Sequence, residues 1–241
     1  DALPHACAST RARAFIYDPK SEFFPILAGM GIDPQDIKIL NPLDARGYAW
    51  DLAKDFTTDP HAESLAGIII PENPNAGSGR FFDDASRILI TAIIKLFMEY
   101  APAQWTLRDI ILASESVELI SVLMQNDPHL QADLKAVGQG ETAGNVMATL
   151  ASRTRTSLRT VAAYEHYHMS EGRTFTLNDW LNNQYILLLG NDRENKETLK
   201  AFNNLLTDRV SQLLTSRKTE GYTFVILDEL RALGQVGNIE R

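Results

Sequence analysis

Three runs in this chain are apolar on nearly every residue rather than on alternate ones, and they constrain the fold more than any other feature. They are Arg13-Ala-Phe-Ile-Tyr-Asp18, Gln184-Tyr-Ile-Leu-Leu-Leu-Gly190 and Tyr222-Thr-Phe-Val-Ile-Leu-Asp228. A strand with one wet face alternates; a strand without alternation is buried on both faces. Each run also ends on a turn signal: Asp18-Pro19, Gly190 or Asp228. Asp36-Ile-Lys-Ile-Leu-Asn41 does alternate, stops at Asn41-Pro42 and predicts a further strand. Residues 194–217 set Leu199, Phe202, Leu205, Leu206, Val210 and Leu213 on one helical face. Buried strands alternating with helices predict an α/β fold with a parallel sheet covered on both sides.

Between the strand-bearing ends, residues 48–175 carry a helical pattern almost throughout. Asp83 and Asp84 open a helix running to about Tyr100, where acids suit the positive end of the helix dipole. Ile88, Leu89, Ala92, Ile93 and Leu96 follow at helical spacing. Thr106-Leu-Arg-Asp109 and Thr176-Leu-Asn-Asp179 both have the form of a helix cap, with Asp in place of the usual longer acid. Short helices are expected at 116–125 and 129–136, and a longer one from Thr142 to about Ala163. Trp50, Trp105 and Trp180 are expected as core anchors of the helical region. The expectation is an α/β domain split in sequence by an all-helical insertion.

Composition narrows the function classes. The 241 residues hold 23 Lys and Arg against 31 Asp and Glu, a net charge of −8, so any nucleic-acid contact must be local or built from several copies. One cysteine, Cys7, excludes an internal disulfide and a multi-cysteine zinc site. No apolar run approaches the ~20 residues needed to cross a bilayer, and residues 1–10 lack the apolar core of a signal peptide. With no Met at the start and a strand-like run near Arg241, both ends are expected to be cuts in a longer protein, of which this fragment is expected to be soluble.

The richest motif is Phe224-Val-Ile-Leu-Asp228-Glu229, where a buried strand delivers two acids at its carboxyl end. In open α/β sheets that edge is where ligands bind. A Walker B element needs this order: Asp228 would hold Mg2+ through its water shell, and Glu229 would polarise the attacking water. Asp18 and Lys20 close the first strand, and Asn191, Asp192 and Arg193 follow Gly190. In a parallel sheet all of them share that edge, although Asp-Pro and Asn-Asp also simply make turns. No Gly-Lys dipeptide occurs, so the chain carries no Walker A loop; Gly77-Ser-Gly79 has neither a preceding strand nor a following lysine. Arg153, Arg155 and Arg159 form an acid-free basic stretch that fits phosphate contact or an ordinary solvated helix face. Glu165, His166 and His168 do not have the spacing of a helical metal site and read as surface or core residues.

Taken in order, Phe15-Ile-Tyr-Asp-Pro-Lys-Ser-Glu-Phe23, Ile39-Leu-Asn-Pro-Leu-Asp-Ala-Arg-Gly-Tyr-Ala-Trp-Asp51, Ile70-Pro-Glu72, Phe81-Phe-Asp-Asp-Ala-Ser-Arg87, Ile186-Leu-Leu-Leu-Gly-Asn-Asp192 and the Asp228-Glu229 strand resemble the type IV secretion coupling proteins, the TraD/TrwB-like DNA-pumping ATPases of bacterial conjugation. The resemblance covers nearly the whole chain. It implies a partial RecA-like nucleotide-binding domain at 1–47 and 176–241, interrupted by an all-α domain at 48–175. It implies ATP and Mg2+ as cofactors, with Asp228 as Walker B acid and Mg2+ holder, Glu229 as catalytic acid, and Asp18, Lys20 and Asn191 near the nucleotide. The partners implied are DNA, for which the basic stretch of Arg153, Arg155 and Arg159 supplies the candidate contacts, the relaxase of the relaxosome and the type IV secretion channel. A homo-hexameric ring would sit at the cytoplasmic face of the inner membrane, anchored by segments absent from this chain.

Without a phosphate loop and a trans-acting arginine, the chain as it stands is expected to be inactive. Two other readings compete. One is a catalytically silent DNA or relaxase docking module. The other is a Mg2+-dependent phosphohydrolase or nuclease using Asp18, Asp192 and Asp228.

Overall fold

A computed structural model describes residues 12–71, 77–115, 120, 122, 131, 140–155, 158–183, 185–190, 194–216 and 221–228. The elements run β1 (Arg13–Asp18), α1 (Phe23–Gly29), β2 (Ile37–Ile39), β3 (Ala49–Trp50), α2 (Leu52–Asp55), α3 (Asp59–Ile69), α4 (Arg80–Tyr100), α5 (Leu107–Ala113), α6 (Glu141–Arg155), α7 (Leu158–Ser170), β4 (Thr174–Phe175), α8 (Leu177–Asn182), β5 (Ile186–Gly190), α9 (Lys196–Ser216) and β6 (Thr223–Leu227). The chain divides into two compact units, Asp1–Asp51 with Tyr164–Arg241, and Leu52–Ala163. The second boundary falls inside α7.

The first unit holds a four-stranded sheet of order β2-β5-β1-β6 with every pairing parallel. Ala14, Ile16, Ile37, Ile39, Ile186 and Leu188 share one face and pack with Leu27 of α1 into a buried cluster that Phe224 and Ile226 flank. Phe15, Tyr17, Leu187 and Leu189 point the other way and are equally buried. Phe15 meets Trp180 of α8 edge-on at 6.4 Å. β1 and β5 are thus buried on both faces, as their unbroken apolarity requires. β6 is not: its strand is half-buried and Val225 is 46 % exposed. Among the described strands β6 pairs with β1 alone, and an outer position is something apolarity cannot register.

Two elements depart from the helical reading of 48–175. β3 and β4 pair in parallel over two residues, Ala49 with Thr174 and Trp50 with Phe175, whose rings stack at 6.3 Å. Trp50 and Trp180 therefore anchor the sheet-bearing unit, and Trp105 lies in the other.

The second unit is helical. α4 packs against α3 and α6. It buries Ala85, Ser86, Leu89, Ile90, Ala92, Ile93, Ile94 and Leu96 along one stripe. Arg87 of α4 donates from Nε to the Ile70 carbonyl at 3.1 Å, and Ser86 Oγ donates to the Val146 carbonyl at 3.3 Å. α4 begins at Arg80, three residues ahead of the acids expected to open it. Thr106 and Asp109 form the complete reciprocal cap of α5, and Thr176 accepts from the Asp179 amide at 2.9 Å to cap α8. The stretch read as one helix to Ala163 is two, α6 and α7, and α7 continues to Ser170. The helices expected at 116–125 and 129–136 lie outside the described residues apart from 120, 122 and 131.

Candidate functional site

The strand register brings the candidate residues of the sheet to one edge. Asp18 pairs with Gly190 across β1 and β5. Tyr17 pairs with Leu227 across β1 and β6, and the Asp228 amide points at the Tyr17 carbonyl at 3.4 Å. Asp18 and Asp228 therefore leave adjacent strands at one level, at the carboxyl end. By strand alternation both lie on the face that carries α1.

The two carboxylates differ in what they already hold. Asp18 is 1 % exposed; its Oδ1 accepts from the Glu22 amide at 3.0 Å and its Oδ2 from the Phe23 amide at 2.9 Å. Those amides open α1 and have no partner within the helix, so Asp18 acts as its cap. The tight turn between them sets Ser21 at φ 58°. The Asp228 side chain is half-buried and makes no hydrogen bond among the described residues. Lys20 lies exposed on the turn after β1. Asn191 and Glu229 lie outside the described residues, as do Asp192 and Arg193.

Two residues missed by the sequence reading complete this edge. Asn41, just beyond β2, lies against Gly190 so closely that a Cβ at 190 would stand 2.9 Å from the Asn41 Cβ. Asn203 of α9, 3 % exposed, donates from Nδ2 to the Gly190 carbonyl at 3.4 Å. The Asn-Pro-x-Asp-x-Arg motif was the available signal for the first. Asn41 Oδ1 accepts from the Leu43 amide at 3.1 Å, and Asp44 accepts from the Arg46 amide and guanidinium at 2.7 to 3.0 Å. Burial pushes the Asp44 carboxyl up, but its bonds and charge contact with Arg46 outweigh that and hold it below its ordinary value.

The loop from Asn41 to Gly47 is clamped by α7 and the residues after it. Arg173 donates from Nε to the Gly47 carbonyl at 3.1 Å and from Nη2 to His168 Nδ1 at 3.0 Å. Arginine has no acceptor, so Nδ1 must accept, and His168 Nε2 carries the hydrogen it donates to the Pro42 carbonyl at 2.9 Å. Nearby, Glu165 is buried; its Oε2 accepts from the Trp50 amide at 2.7 Å while Oε1 has no partner among the described residues. Burial pushes this carboxyl up to about 8, against the opposing pull of the Trp50 amide. His166 is exposed, while Glu165 is bonded to the Trp50 amide and His168 to the Pro42 carbonyl and Arg173.

The candidate DNA-contacting arginines lie on α6 and α7. Arg153 donates from Nε and Nη2 to the carboxylate of Asp83 at 3.0 to 3.2 Å. Asp83 lies in the first turn of α4, where an acid was expected, and is also buried under this pair. Arg159 Nη1 stands 3.2 Å from Glu115 Oε1. Arg155 is the last residue of α6, and the spacing that would set it beside Arg159 on one helix spans two elements.

A parallel sheet with polar groups converging at its carboxyl edge defines an α/β ligand-binding fold, and solved structures identify it as the RecA-like arrangement. The bacterial conjugative coupling protein TrwBdeltaN70, unbound, matches with a TM-score of 0.70 at 16% identity over 94% of this chain and 51% of that one. The plasmid coupling protein TrwB in complex with the ATP analogue ADPNP matches at 0.70 and 17% over 94% and 52%. TrwB with ADP and Mg2+ matches at 0.65 and 17% over 94% and 52%.

The chain belongs to the family described as the type IV secretion-system coupling protein DNA-binding domain, whose model matches residues 3–241. It is 31% identical over 172 residues to the coupling protein TraD of Escherichia coli (strain K12), covering 69% of this chain and 21% of that protein. It thus spans about a fifth of that relative and about half of the TrwB chains. Among the described residues no helix is long and apolar enough to cross a membrane.

Proposed function

We propose that this chain is the partial nucleotide-binding domain and the helical insertion of an ATP-driven DNA translocase that couples a relaxase–DNA complex to a type IV secretion channel in conjugation. The nucleotide-binding part is 1–47 with 176–241, and the all-α part is 48–175. The observation that carries this reading is the parallel register that sets Asp228, whose carboxylate makes no hydrogen bond among the described residues, level with Asp18 and Gly190 at the carboxyl edge of the sheet. Membership of the coupling-protein family supports it, and so does the fold shared with a protein solved with ADPNP and with ADP and Mg2+.

In this reading Asp228 would hold Mg2+, which would neutralise phosphate charge, and Glu229 would orient the attacking water, with Asn191 and Lys20 near the phosphates. ATP supplies the phosphoryl group whose hydrolysis drives movement; the chain supplies position and field. Asp18 acts at one remove by fixing the turn after β1. Arg153, Arg155 and Arg159 contact DNA. The full-length protein works as a homo-hexamer at the cytoplasmic face of the inner membrane, held there by membrane segments outside this chain.

The test is Glu229→Gln in the full-length protein. Nucleotide binding is retained and hydrolysis is lost; a variant that turns over normally removes Glu229 from the catalytic role. A second reading, a catalytically silent docking module for DNA or relaxase, predicts that the full-length protein also lacks a Gly-Lys-Ser/Thr loop. A full-length protein that binds no nucleotide by calorimetry would move the assignment there.

A further inference from the structure

Residues 142–163 contain no Asp or Glu, in a chain where acids outnumber bases by 31 to 23. At the chain's average density a stretch of that length would carry about three acids. It carries Arg153, Arg155 and Arg159 instead, with Asn145, Ser152 and Thr160 exposed on either side of them. The acids that do meet this segment come from other elements. Asp83, on α4, has a side chain only 5 % exposed, against 41 % for Arg153. Glu115, after α5, is 19 % exposed, against 56 % for Arg159. Each guanidinium thus has an acid on its inner side and an exposed remainder. Among the described residues Arg153 Nη1 and the guanidinium nitrogens of Arg159 have no hydrogen-bond partner; Arg159 Nη1 meets Glu115 Oε1 at 3.2 Å as a charge contact without a hydrogen bond.

We infer that Asp83 and Glu115 are positioning residues that hold Arg153 and Arg159 with their free N–H groups presented to the phosphodiester backbone of a nucleic acid. The inference rests on the DNA-contact reading above and adds how that contact is prepared. A guanidinium fixed on one side by a carboxylate has less rotamer freedom to lose when a phosphate arrives on the other. Guanidinium geometry also suits two anions at once, one on each N–H pair. The partner is a polyanion because acids are missing from the segment itself, and hydroxyl and amide side chains that can donate to phosphate oxygens stand in their place.

The sign of one substitution decides the matter. An acid near a phosphate backbone repels it, so charge alone predicts that Asp83→Asn and Glu115→Gln tighten DNA binding. Positioning predicts the opposite. In the full-length protein, with a fluorescein-labelled single-stranded oligonucleotide titrated between about 50 and 200 mM salt, Arg153→Ala weakens binding and lowers the salt slope by about one. Asp83→Asn weakens it about fivefold and adds nothing in an Arg153→Ala background. Glu115→Gln, a near-isosteric change at a half-buried site, behaves in the same way toward Arg159→Ala and is the second variant if Asp83→Asn does not fold.

Tighter or unchanged binding in both acid variants overturns the positioning role. Arginine variants that leave oligonucleotide binding unchanged overturn the DNA contact itself. Arginine variants that instead lose binding to polyglutamate, with the oligonucleotide unaffected, reassign the segment to an acidic protein.

Discussion

Asp18 and Asp228 leave adjacent parallel strands at the same level and on the same face, yet among the described residues Asp18 alone of the two has its carboxylate occupied, by the Glu22 and Phe23 amides. The two acids should therefore separate experimentally. Asp18→Ala strips the first turn of α1 of its cap and lowers stability by about 2 kcal/mol. The measurement is the urea midpoint, with an unchanged m-value showing that stability alone moved.

Asp228→Asn should do the reverse. Its carboxylate holds nothing among the described residues, so the fold should change by less than about 0.5 kcal/mol. In the full-length protein, however, Mg2+-dependent nucleotide hydrolysis should fall at least about tenfold, because an amide cannot order the water shell of the cation as a carboxylate does. Full turnover with Mg2+ in this variant would remove Asp228 from the metal.

Gly190 and Gly47 are fixed by space rather than by dihedral angle. A Cβ at 190 would stand 2.9 Å from the Asn41 Cβ, and one at 47 would stand 2.5 and 2.9 Å from the Asn41 and Asp44 carbonyl oxygens and 2.9 Å from His168 Nε2. Gly190→Ala is expected to cost about 1–3 kcal/mol, and Gly47→Ala more, because backbone oxygens cannot rotate away as a side chain can. Gly67, inside α3 with nothing near its Cβ position, is the control. There alanine should stabilise by about 0.5–1 kcal/mol through helix propensity. Equal effects at the three sites in thermal melts would contradict the packing argument.

What was legible in the sequence follows from what leaves a periodic trace. β1 and β5 announced themselves because burial on both faces removes alternation, and the Thr106–Asp109 cap was readable because its two halves are three residues apart. Contacts between residues distant in sequence left no trace. Asp83 meets Arg153 seventy positions away. Asn203 reaches Gly190 from another element, and β3 and β4 are two residues each, too short to show a period. The edge that gathers Asp18 and Asp228 followed once the strands were known to be parallel. That Asp18 already serves α1 did not, since an Asp-Pro turn reads alike whether its carboxylate is free or bound.

Glu165 supplies a pH dependence whose direction is set by its burial. Its carboxyl titrates near 8 in the folded chain against an ordinary 4.5. Between those values the folded state keeps a proton that the unfolded state has released, so raising the pH favours unfolding. The contribution is fully present below about pH 4.5 and is lost as the pH rises through about 8, with a slope approaching 1.4 kcal/mol per pH unit in between. Glu165→Gln keeps an oxygen to accept the Trp50 amide and removes the titrating proton. Urea unfolding from pH 5 to about pH 8.5 should therefore show a declining stability in the parent protein. In the Gln variant that part of the decline should vanish, and the variant should overtake the parent toward the alkaline end. Parallel curves for the two proteins would mean that Glu165 is ionised in the folded state and that its burial is relieved in solution.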